Sequence, residues 1–100
     1  MVIVVFQFST KSKMSEEYFK EVEKLQKEIV KIKGFVSAER YTSKKNKDSF
    51  VSISTWKDKK SVEEWHRNKK HQISQNKGKA KIFNSFRIRV AEVFKDYGSK

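Results

Sequence analysis

The hydrophobic positions of this chain change period along its first half. Val2–Phe8 is a continuous run of β-branched and aromatic residues, which is typical of a central strand covered on both faces. Beyond a polar turn at residues 10–13, the apolar positions recur with helical spacing and form one stripe over about four turns. The stripe consists of Tyr18, Val22, Leu25, Ile29 and Ile32. We expect Ser15 to cap this helix and Gly34 to end it in a left-handed conformation.

Two further strands are predicted in the middle of the chain. Phe35–Ser43 and Phe50–Trp56 are separated by a polar stretch, residues 44–48, that suits a hairpin turn. Each run has one apolar face and one mixed face. The mixed faces carry small serine side chains, which leave space for a ligand or for the side chains of another subunit.

The last third of the chain predicts a bent helical region followed by a strand. Asp58 or Ser61 can cap a helix that runs through Trp65. A second helical stretch runs from residue 68 to about residue 81, after a break or bend near residues 67–69. The final strand, Ile82–Phe94, is longer than so small a sheet requires. Its end therefore predicts pairing with a second subunit.

The order of these elements is β-α-β-β-α-β, which indicates an α+β, ferredoxin-like fold. We expect a four-stranded antiparallel sheet with its helices on one face. The chain has 100 residues, no proline and no internal repeat or change of composition, so residues 1–100 are expected to form a single domain. The opposite face of the sheet is exposed unless a homodimer covers it.

Composition excludes several kinds of chemistry and location. The chain lacks cysteine, which rules out disulfides, thiolate nucleophiles and cysteine-ligated metals, and two histidines are few for a metal site. The apolar start is too short for a signal peptide, and no window approaches a membrane span. We therefore expect a cytoplasmic protein without a membrane segment.

The net charge of +12 raises the question of nucleic-acid binding. The lysines are scattered, and many are paired with glutamate along the first helix, which favours a solvated surface. An RNA recognition motif shares this element order, but its strand pattern needs two stacking rings. The nearest match keeps Phe50 and has Asp48 where the first ring belongs. The sequence therefore disfavours a nucleic-acid partner.

Several short strings, in this order and spacing, resemble the antibiotic biosynthesis monooxygenase family over essentially the whole chain. They are GFVSAERYTS after the first helix, an SxSxW strand ending at Trp56, the Trp65, His71 and Gly78 spacing, and FRIRVAEVFKDYG near the end. The resemblance implies a homodimer that associates through its sheet faces and C-terminal strand as a dimeric α+β barrel. It also implies a pocket between sheet and helices, in which cofactor-free members oxidise quinols or anthrones with O2.

The resemblance suggests roles for particular residues. His71 would accept a proton and Trp65 would donate its indole N–H, so we predict these two as catalytic residues. Gln7 and Asn68 would orient a substrate carbonyl, and aromatic walls would stack on a small aromatic substrate. The predicted wall residues are Phe50, Phe83 and Phe86. From the residues alone, Trp65 is equally well interpreted as a core anchor and His71 as a solvated histidine.

Two other activities within the same fold remain open. The haem-degrading members carry a histidine ligand about ten residues beyond the tryptophan, but that position is Gln75 here. Glutamine is a poor iron ligand, so we expect neither haem nor another cofactor, and no bound metal. The alternative is a dimeric protein of the same fold that binds a small ligand, or takes part in a stress response, without catalysis.

Overall fold

The computed structural model describes residues 1–99, apart from the side chains of residues 69, 70, 78 and 80. Its strands are β1 (Val2–Thr10), β2 (Phe35–Thr42), β3 (Ser49–Trp56) and β4 (Phe83–Glu92). Its α-helices are α1 (Ser15–Ile29), α2 (Lys59–Arg67) and α3 (Lys69–Lys77), and a π-helical turn (Gly78–Ile82) follows α3. The predicted element order and the ferredoxin-like α+β class are confirmed.

The four strands form one antiparallel sheet in the order β2-β3-β1-β4. β1 lies at the centre, as its unbroken apolar run predicted, and pairs with β3 on one side and with β4 on the other. Phe6, for example, lies between Ser52 of β3 and Ile88 of β4. Because paired residues of antiparallel strands point to the same side, this register determines which residues face the helices.

The helices cover the face of the sheet to which the even-numbered residues of β1 point. Two apolar clusters form there, one at each end of the sheet. The first is built around Val2, Trp56 and Trp65. The second is built around Phe8, Phe50 and Phe83. Burial of these large side chains supplies most of the stabilisation that a chain of this length can obtain.

Helix α1 begins differently from the prediction. Ser15 is its first helical residue, and Met14, in the N-cap position, makes no side-chain cap. The Ser15 hydroxyl instead bonds to Thr10 Oγ1 at 3.0 Å and donates to Asp48 Oδ1 at 3.2 Å. The predicted cap was therefore wrong, because this hydroxyl joins the helix start to β1 and to the β2–β3 turn.

The prediction for Gly34 was also wrong. Helix α1 ends at Ile29, and no glycine among the described residues has a positive φ. A Cβ on Gly34 would lie 1.7 Å from Ser61 Oγ and 2.6 Å from Ser61 Cβ. Glycine is therefore required for space, since the start of α2 packs directly on the backbone that enters β2.

Helix α2 is capped by Asp58, one of the two predicted caps. Asp58 Oδ1 accepts hydrogen bonds from the Ser61 amide at 2.9 Å and from the Ser61 hydroxyl at 2.7 Å. These bonds lower the pKa of the Asp58 carboxyl. The helix continues to Arg67, and the predicted break follows at Asn68, whose backbone is extended.

The last strand is shorter than predicted. β4 ends at Glu92, and its pairing with β1 runs from Phe83 opposite Thr10 to Glu92 opposite Val2. Its whole length is therefore matched by β1, so the predicted overshoot of the sheet was wrong. The following residues are irregular and leave Phe94 98% exposed. None of the helices in residues 1–99 is long and apolar enough to cross a membrane.

Substitution of Gly34 by alanine is expected to lower the free energy of unfolding by about 1 to 3 kcal/mol, the range for overpacking, because the new methyl group would overlap Ser61. Gly98→Ala is the matched control, since a Cβ there meets nothing within 4 Å. Urea denaturation of both variants measures the difference. Equal stability of Gly34→Ala and Gly98→Ala would contradict this packing.

Candidate active site

A cavity of about 640 Å3 lies between the sheet and the helices. It lies between the two apolar clusters, over the middle of the sheet, which neither cluster covers. Its apolar lining comes from the sheet, α1, α2 and the π-helical turn, and comprises Val4, Phe6, Val22, Leu25, Ile29, Trp56, Val62, Trp65, Ile82, Phe83 and Ile88. The volume and lining suit a small, largely apolar ligand.

The space exists because β3 presents small side chains at its centre. Phe50 and Trp56 fill the two ends of this strand, whereas Ser52 and Ser54 between them line the cavity. Trp56 Nε1 donates a hydrogen bond to Ser54 Oγ at 2.9 Å. The serines noted on the mixed face of this strand therefore do leave space on the helix side of the sheet.

Trp65 and His71 meet across the break between α2 and α3. Their ring centroids are 4.5 Å apart and their planes are inclined by 26°, so the rings are stacked, and both line the cavity. Asn68 fixes this arrangement from the break itself. Its amide donates to the Trp65 carbonyl at 3.1 Å, and its Oδ1 accepts from the His71 amide at 2.9 Å.

The His71 imidazole is neutral over the physiological pH range. Its pKa is lowered from 6.5 to about 4. Burial is the main cause, and the neighbouring His66 makes a smaller contribution in the same direction. The Trp65 carbonyl oxygen favours the protonated ring and opposes the shift. Even so, Nδ1 is buried and no group among the described residues meets hydrogen-bond geometry with it. His71 therefore presents an unpaired ring nitrogen.

Two more side chains complete the surroundings of His71. Gln75 Nε2 lies 3.4 Å from His71 Nε2, one helical turn further along α3. The His66 ring stacks at 5.9 Å from the His71 ring, and it also lines the cavity although its residue is exposed. His66 was not predicted as a site residue, since its position next to Trp65 suggested only a surface location.

Helix α3 is joined to α1 mainly by polar contacts. Glu21, which is only 8% exposed, accepts from Ser74 Oγ and from Lys77 Nζ, each at 2.8 Å. The Lys77 bond is the principal reason that the pKa of the Glu21 carboxyl is lowered. Ile73, the apolar residue within the helix, is 68% exposed. These contacts hold the helix that carries His71 over the cavity.

Two cationic side chains, Arg40 and Lys79, line the cavity. Arg40 of β2 lines it, with its guanidinium carbon 5.4 Å from the Tyr18 ring centroid and 5.0 Å from that of Phe19. Burial raises the pKa of the Tyr18 hydroxyl, and Arg40 opposes that shift. Lys79 also lines the cavity and places Nζ 5.7 Å from the Phe86 ring centroid.

Comparison with protein families agrees with this architecture. The family model described as antibiotic biosynthesis monooxygenase matches residues 1–77, which is more than three quarters of the 100-residue chain. The chain belongs to the antibiotic biosynthesis monooxygenase family. The resemblance seen in the sequence is thereby confirmed.

A curated relative of this family member is the jasmonate monooxygenase ABM of Pyricularia oryzae. The two sequences are 28% identical over 93 residues, which is 93% of this chain and 43% of the relative. The chain thus spans less than half the length of that relative. The activity of the longer enzyme therefore cannot be assigned to this chain from the match alone.

Solved structures of similar shape include members with the same family description. A candidate antibiotic biosynthesis monooxygenase from Deinococcus radiodurans matches with a TM-score of 0.86 at 10% identity, covering 100% of this chain and 99% of that one. A variant of SnoaB, a cofactor-independent oxygenase from Streptomyces nogalater, matches with a TM-score of 0.83 at 13% identity, covering 98% and 97%. At such identities the likeness establishes the fold alone.

Three of the residues predicted for the site of this family member line the cavity, namely Trp65, His71 and Phe83. Asn68 is adjacent and positions His71 through its side chain. Phe50 belongs to the second apolar cluster, packed on Phe8 and Tyr18, and is not among the lining residues.

The two remaining predicted residues lie outside the cavity. Phe86 is 43% exposed and touches the cavity wall through edge contacts with Phe6 and Phe83. Gln7 lies on the opposite face of the sheet, where it accepts a hydrogen bond from Arg89 Nη1 at 3.1 Å. The odd position of Gln7 on β1 separates it from the cavity-lining residues Val4 and Phe6.

The sequence interpretation missed Arg40, Ser52 and Ser54 as individual residues of the cavity wall. The alternation of side chains along β2 and β3 could have indicated that the serines line the cavity. The side of the sheet on which Arg40 lies also depends on the register shift between Phe35 and Ser37, which the sequence does not show. Metal-ligating residues are not clustered: residues 1–99 contain no group of three or more His, Asp or Glu side chains that could hold a metal ion.

The lowered pKa of His71 predicts a pH-dependent stability. The unfolded ring binds a proton below pH 6.5, whereas the folded ring does so only below about pH 4. The free energy of unfolding should therefore fall as the pH falls from 6.5 to 4. Allowing for partial exposure, we expect wild type to lose about 1 to 2 kcal/mol more over this range than His71→Phe.

Denaturant titrations at pH 7 and pH 4.5 measure this difference. Phenylalanine keeps a ring stacked on Trp65 but cannot take up a proton. His66→Gln is the comparison variant, and it should keep most of the slope because burial, rather than His66, is the main cause of the shift. Equal pH slopes for wild type and His71→Phe would show that His71 is not buried as described.

Proposed function

We propose that this protein is a cofactor-independent monooxygenase that uses O2 to oxidise a small aromatic or quinol-type substrate in the cavity. The observation that carries the proposal is the half-buried, neutral His71 imidazole, stacked on Trp65 in an apolar cavity of about 640 Å3. A neutral imidazole keeps one ring nitrogen with a free electron pair, and that nitrogen can accept a proton. Membership in the monooxygenase family supports the same reaction class.

The reaction divides into three steps. His71 takes a proton from an acidic carbon or phenol of the substrate, which leaves an electron-rich anion. The anion transfers an electron to O2, and recombination forms a carbon–oxygen bond to a peroxide. For an anthrone-type CH2 group, the O–O bond then breaks, the carbon becomes a carbonyl, and the second oxygen atom leaves as water with the two hydrogens. One of these hydrogens is the proton returned by His71.

The lowered pKa of His71 has a cost and an advantage in this scheme. With a pKa of about 4, the ring is a weak base, so proton transfer is favourable only while the substrate anion remains beside the imidazolium. The ring is nevertheless unprotonated at every pH above about 5. The activity should therefore lack the loss near pH 6.5 that an ordinary histidine base produces.

Other residues support the reaction in this proposal. Trp65 donates its indole N–H to the developing oxyanion, and Phe83 provides an aromatic wall. Phe86 contacts that wall directly, Phe50 supports it through Phe8, and Asn68 acts through the position of His71. Gln7 would act on substrate only if a rearranged strand brought it to the helix face.

The relatives support the reaction class and widen the choice of substrates. SnoaB is a cofactor-independent oxygenase, which fits a proposal without haem, flavin or metal. The Pyricularia oryzae relative is named for jasmonate, so jasmonate belongs in the substrate panel together with quinols and anthrones. The competing function, binding of a small ligand without catalysis in a dimeric protein of the same fold, uses the same cavity.

We further propose that residues 1–100 act as one domain in a cytoplasmic homodimer. The support is the open face of the sheet, which carries Ile3 and Val5 on β1 and Val51 and Ile53 on β3, beside the exposed Tyr41 of β2. An apolar sheet face of this kind is normally covered. A second copy placed on it would form the dimeric barrel.

Oxygen consumption measured with the substrate panel tests the proposed chemistry. Uptake is expected with protein treated with EDTA and without added haem or flavin. His71→Phe should lower kcat by about 100-fold or more, because it removes the proton acceptor and keeps the packing on Trp65. Ile73→Ala is the matched control on the same helix, and it should leave kcat unchanged because Ile73 is exposed.

Two results would contradict the proposal. Unchanged turnover of a confirmed substrate by His71→Phe would remove His71 from the chemistry. Binding of panel compounds in the cavity, without O2 uptake for any of them, would favour the non-catalytic ligand-binding protein.

The dimer has a separate test in light scattering coupled to size-exclusion chromatography. Ile53→Lys should convert a dimer into a monomer, because it places a charge in the middle of the open sheet face. Val30→Lys, which adds the same charge at an exposed position after α1, should remain dimeric. A wild-type protein that is monomeric at high micromolar concentration would contradict the proposed dimer.

A further inference from the structure

The cationic wall of the cavity contains a guanidinium group that has no acidic partner among the described residues. Arg40 on β2 and Ser52 on β3 are paired in the register of the sheet, and both line the cavity. Directly paired residues have Cβ atoms about 5 Å apart and point to the same side of the sheet, so both side chains start from one region of the cavity wall. The Ser52 hydroxyl, likewise, has no hydrogen-bond partner in the part of the chain that the structure describes.

Aromatic residues of α1 hold Arg40 in place. Its guanidinium carbon lies within 5.4 Å of the ring centroids of Tyr18 and Phe19. The guanidinium also bonds to the Tyr18 hydroxyl, and since it has five N–H donors, others are left for a ligand. A guanidinium held in this way has lost part of its rotamer freedom before a ligand arrives, which favours binding.

The acidic groups near the cavity are already engaged. Glu21 accepts hydrogen bonds from Ser74 and Lys77, and Glu39 accepts one from the Tyr41 hydroxyl. The second cation of the wall, Lys79, lies over the Phe86 ring and forms no ion pair among the described residues. Arg40 and Lys79 therefore line the cavity without an ion-pair partner among the described residues, and the carboxylates of Glu21 and Glu39 line it as well.

We infer that the cavity selects organic anions, with a carboxylate bound by the Arg40 guanidinium and the Ser52 hydroxyl and an apolar body extending toward Trp65. Arginine matches a carboxylate with two parallel N–H donors, and the bonds are charge-assisted. The net charge of +12 would also attract such a ligand from solution. This inference rests on the proposed function, because it names the substrate class of the same site.

Competition between two compounds of nearly identical shape tests the inference. The fluorescence of N-phenyl-1-naphthylamine, an uncharged probe of apolar cavities, reports occupancy. Naphthalene-1-acetic acid, ionised at pH 7, and naphthalene-1-acetamide, which is neutral, serve as competitors. We expect the acid to displace the probe at a concentration about tenfold lower than the amide, since one charge-assisted contact is worth roughly that factor.

Variants assign the preference to Arg40. Arg40→Gln should abolish the preference for the acid and leave probe binding unchanged, and Arg40→Lys should restore only part of it because lysine lacks the planar fork. Ser52→Ala should reduce the preference by a smaller factor. Arg67→Gln is the matched control: it removes the same charge from an exposed position that does not line the cavity, and should keep the full preference.

Each outcome is informative about the anion site separately from the oxygenase. Equal displacement by acid and amide, failure of both to displace the probe, or loss of the preference in Arg67→Gln would overturn the inference. A preference for the acid that depends on Arg40, without O2 uptake for any compound, would uphold the anion site and contradict the oxygenase. O2 uptake that occurs only with neutral compounds and is unaffected by Arg40→Gln would uphold the oxygenase and contradict the anion site.

Discussion

The pairing of β1 with both of its neighbours is the constraint on which the rest of the structure depends. β1 is matched to β3 over eight residue pairs and to β4 over nine, so its alternation is imposed on both strands. A shift of one residue would turn Val4 and Phe6 away from the helices. The same register places Ser52 and Ser54 at the centre of the covered face and, through β3, brings Arg40 to the cavity wall.

The cavity exists because side chains on the covered face are large at its two ends and small in its middle. Large rings at Phe8 and Phe50 and at Trp56 and Trp65 fill the two ends and provide stability. Small hydroxyl side chains in the middle bury less apolar area and leave space instead. Stability and ligand binding are thus assigned to different segments of the same strands.

Helix α3 is held differently from the rest of the fold, and this bears on how a ligand enters. Its contacts with α1 include the hydrogen bonds of Glu21 with Ser74 and Lys77 and the ion pair of Lys77 with Glu17, and Ile73, its apolar residue, is exposed. Segments with little buried apolar surface open at lower free energy than the core. We therefore expect the helix that carries His71 to open more readily than the rest of the cavity wall.

The sequence predicted those features that depend on local pattern. The period of two in the strands, the stripe on α1 and the break near residue 68 were sufficient for the fold and for the neighbourhood of Trp65 and His71. Features that depend on contacts between distant segments were not predictable in this way. The space between Gly34 and Ser61, the face of Gln7 and the position of Arg40 all depend on how separate elements pack.

The proposed chemistry depends on His71 as a half-buried, neutral proton acceptor in the cavity. An NMR titration of the two histidine rings tests it most directly, with His71→Phe used to assign the signals. The account predicts that the His71 ring takes up its proton near pH 4, and that its signals shift when N-phenyl-1-naphthylamine occupies the cavity. A His71 ring that titrates near pH 6.5 and does not respond to the bound compound would contradict it.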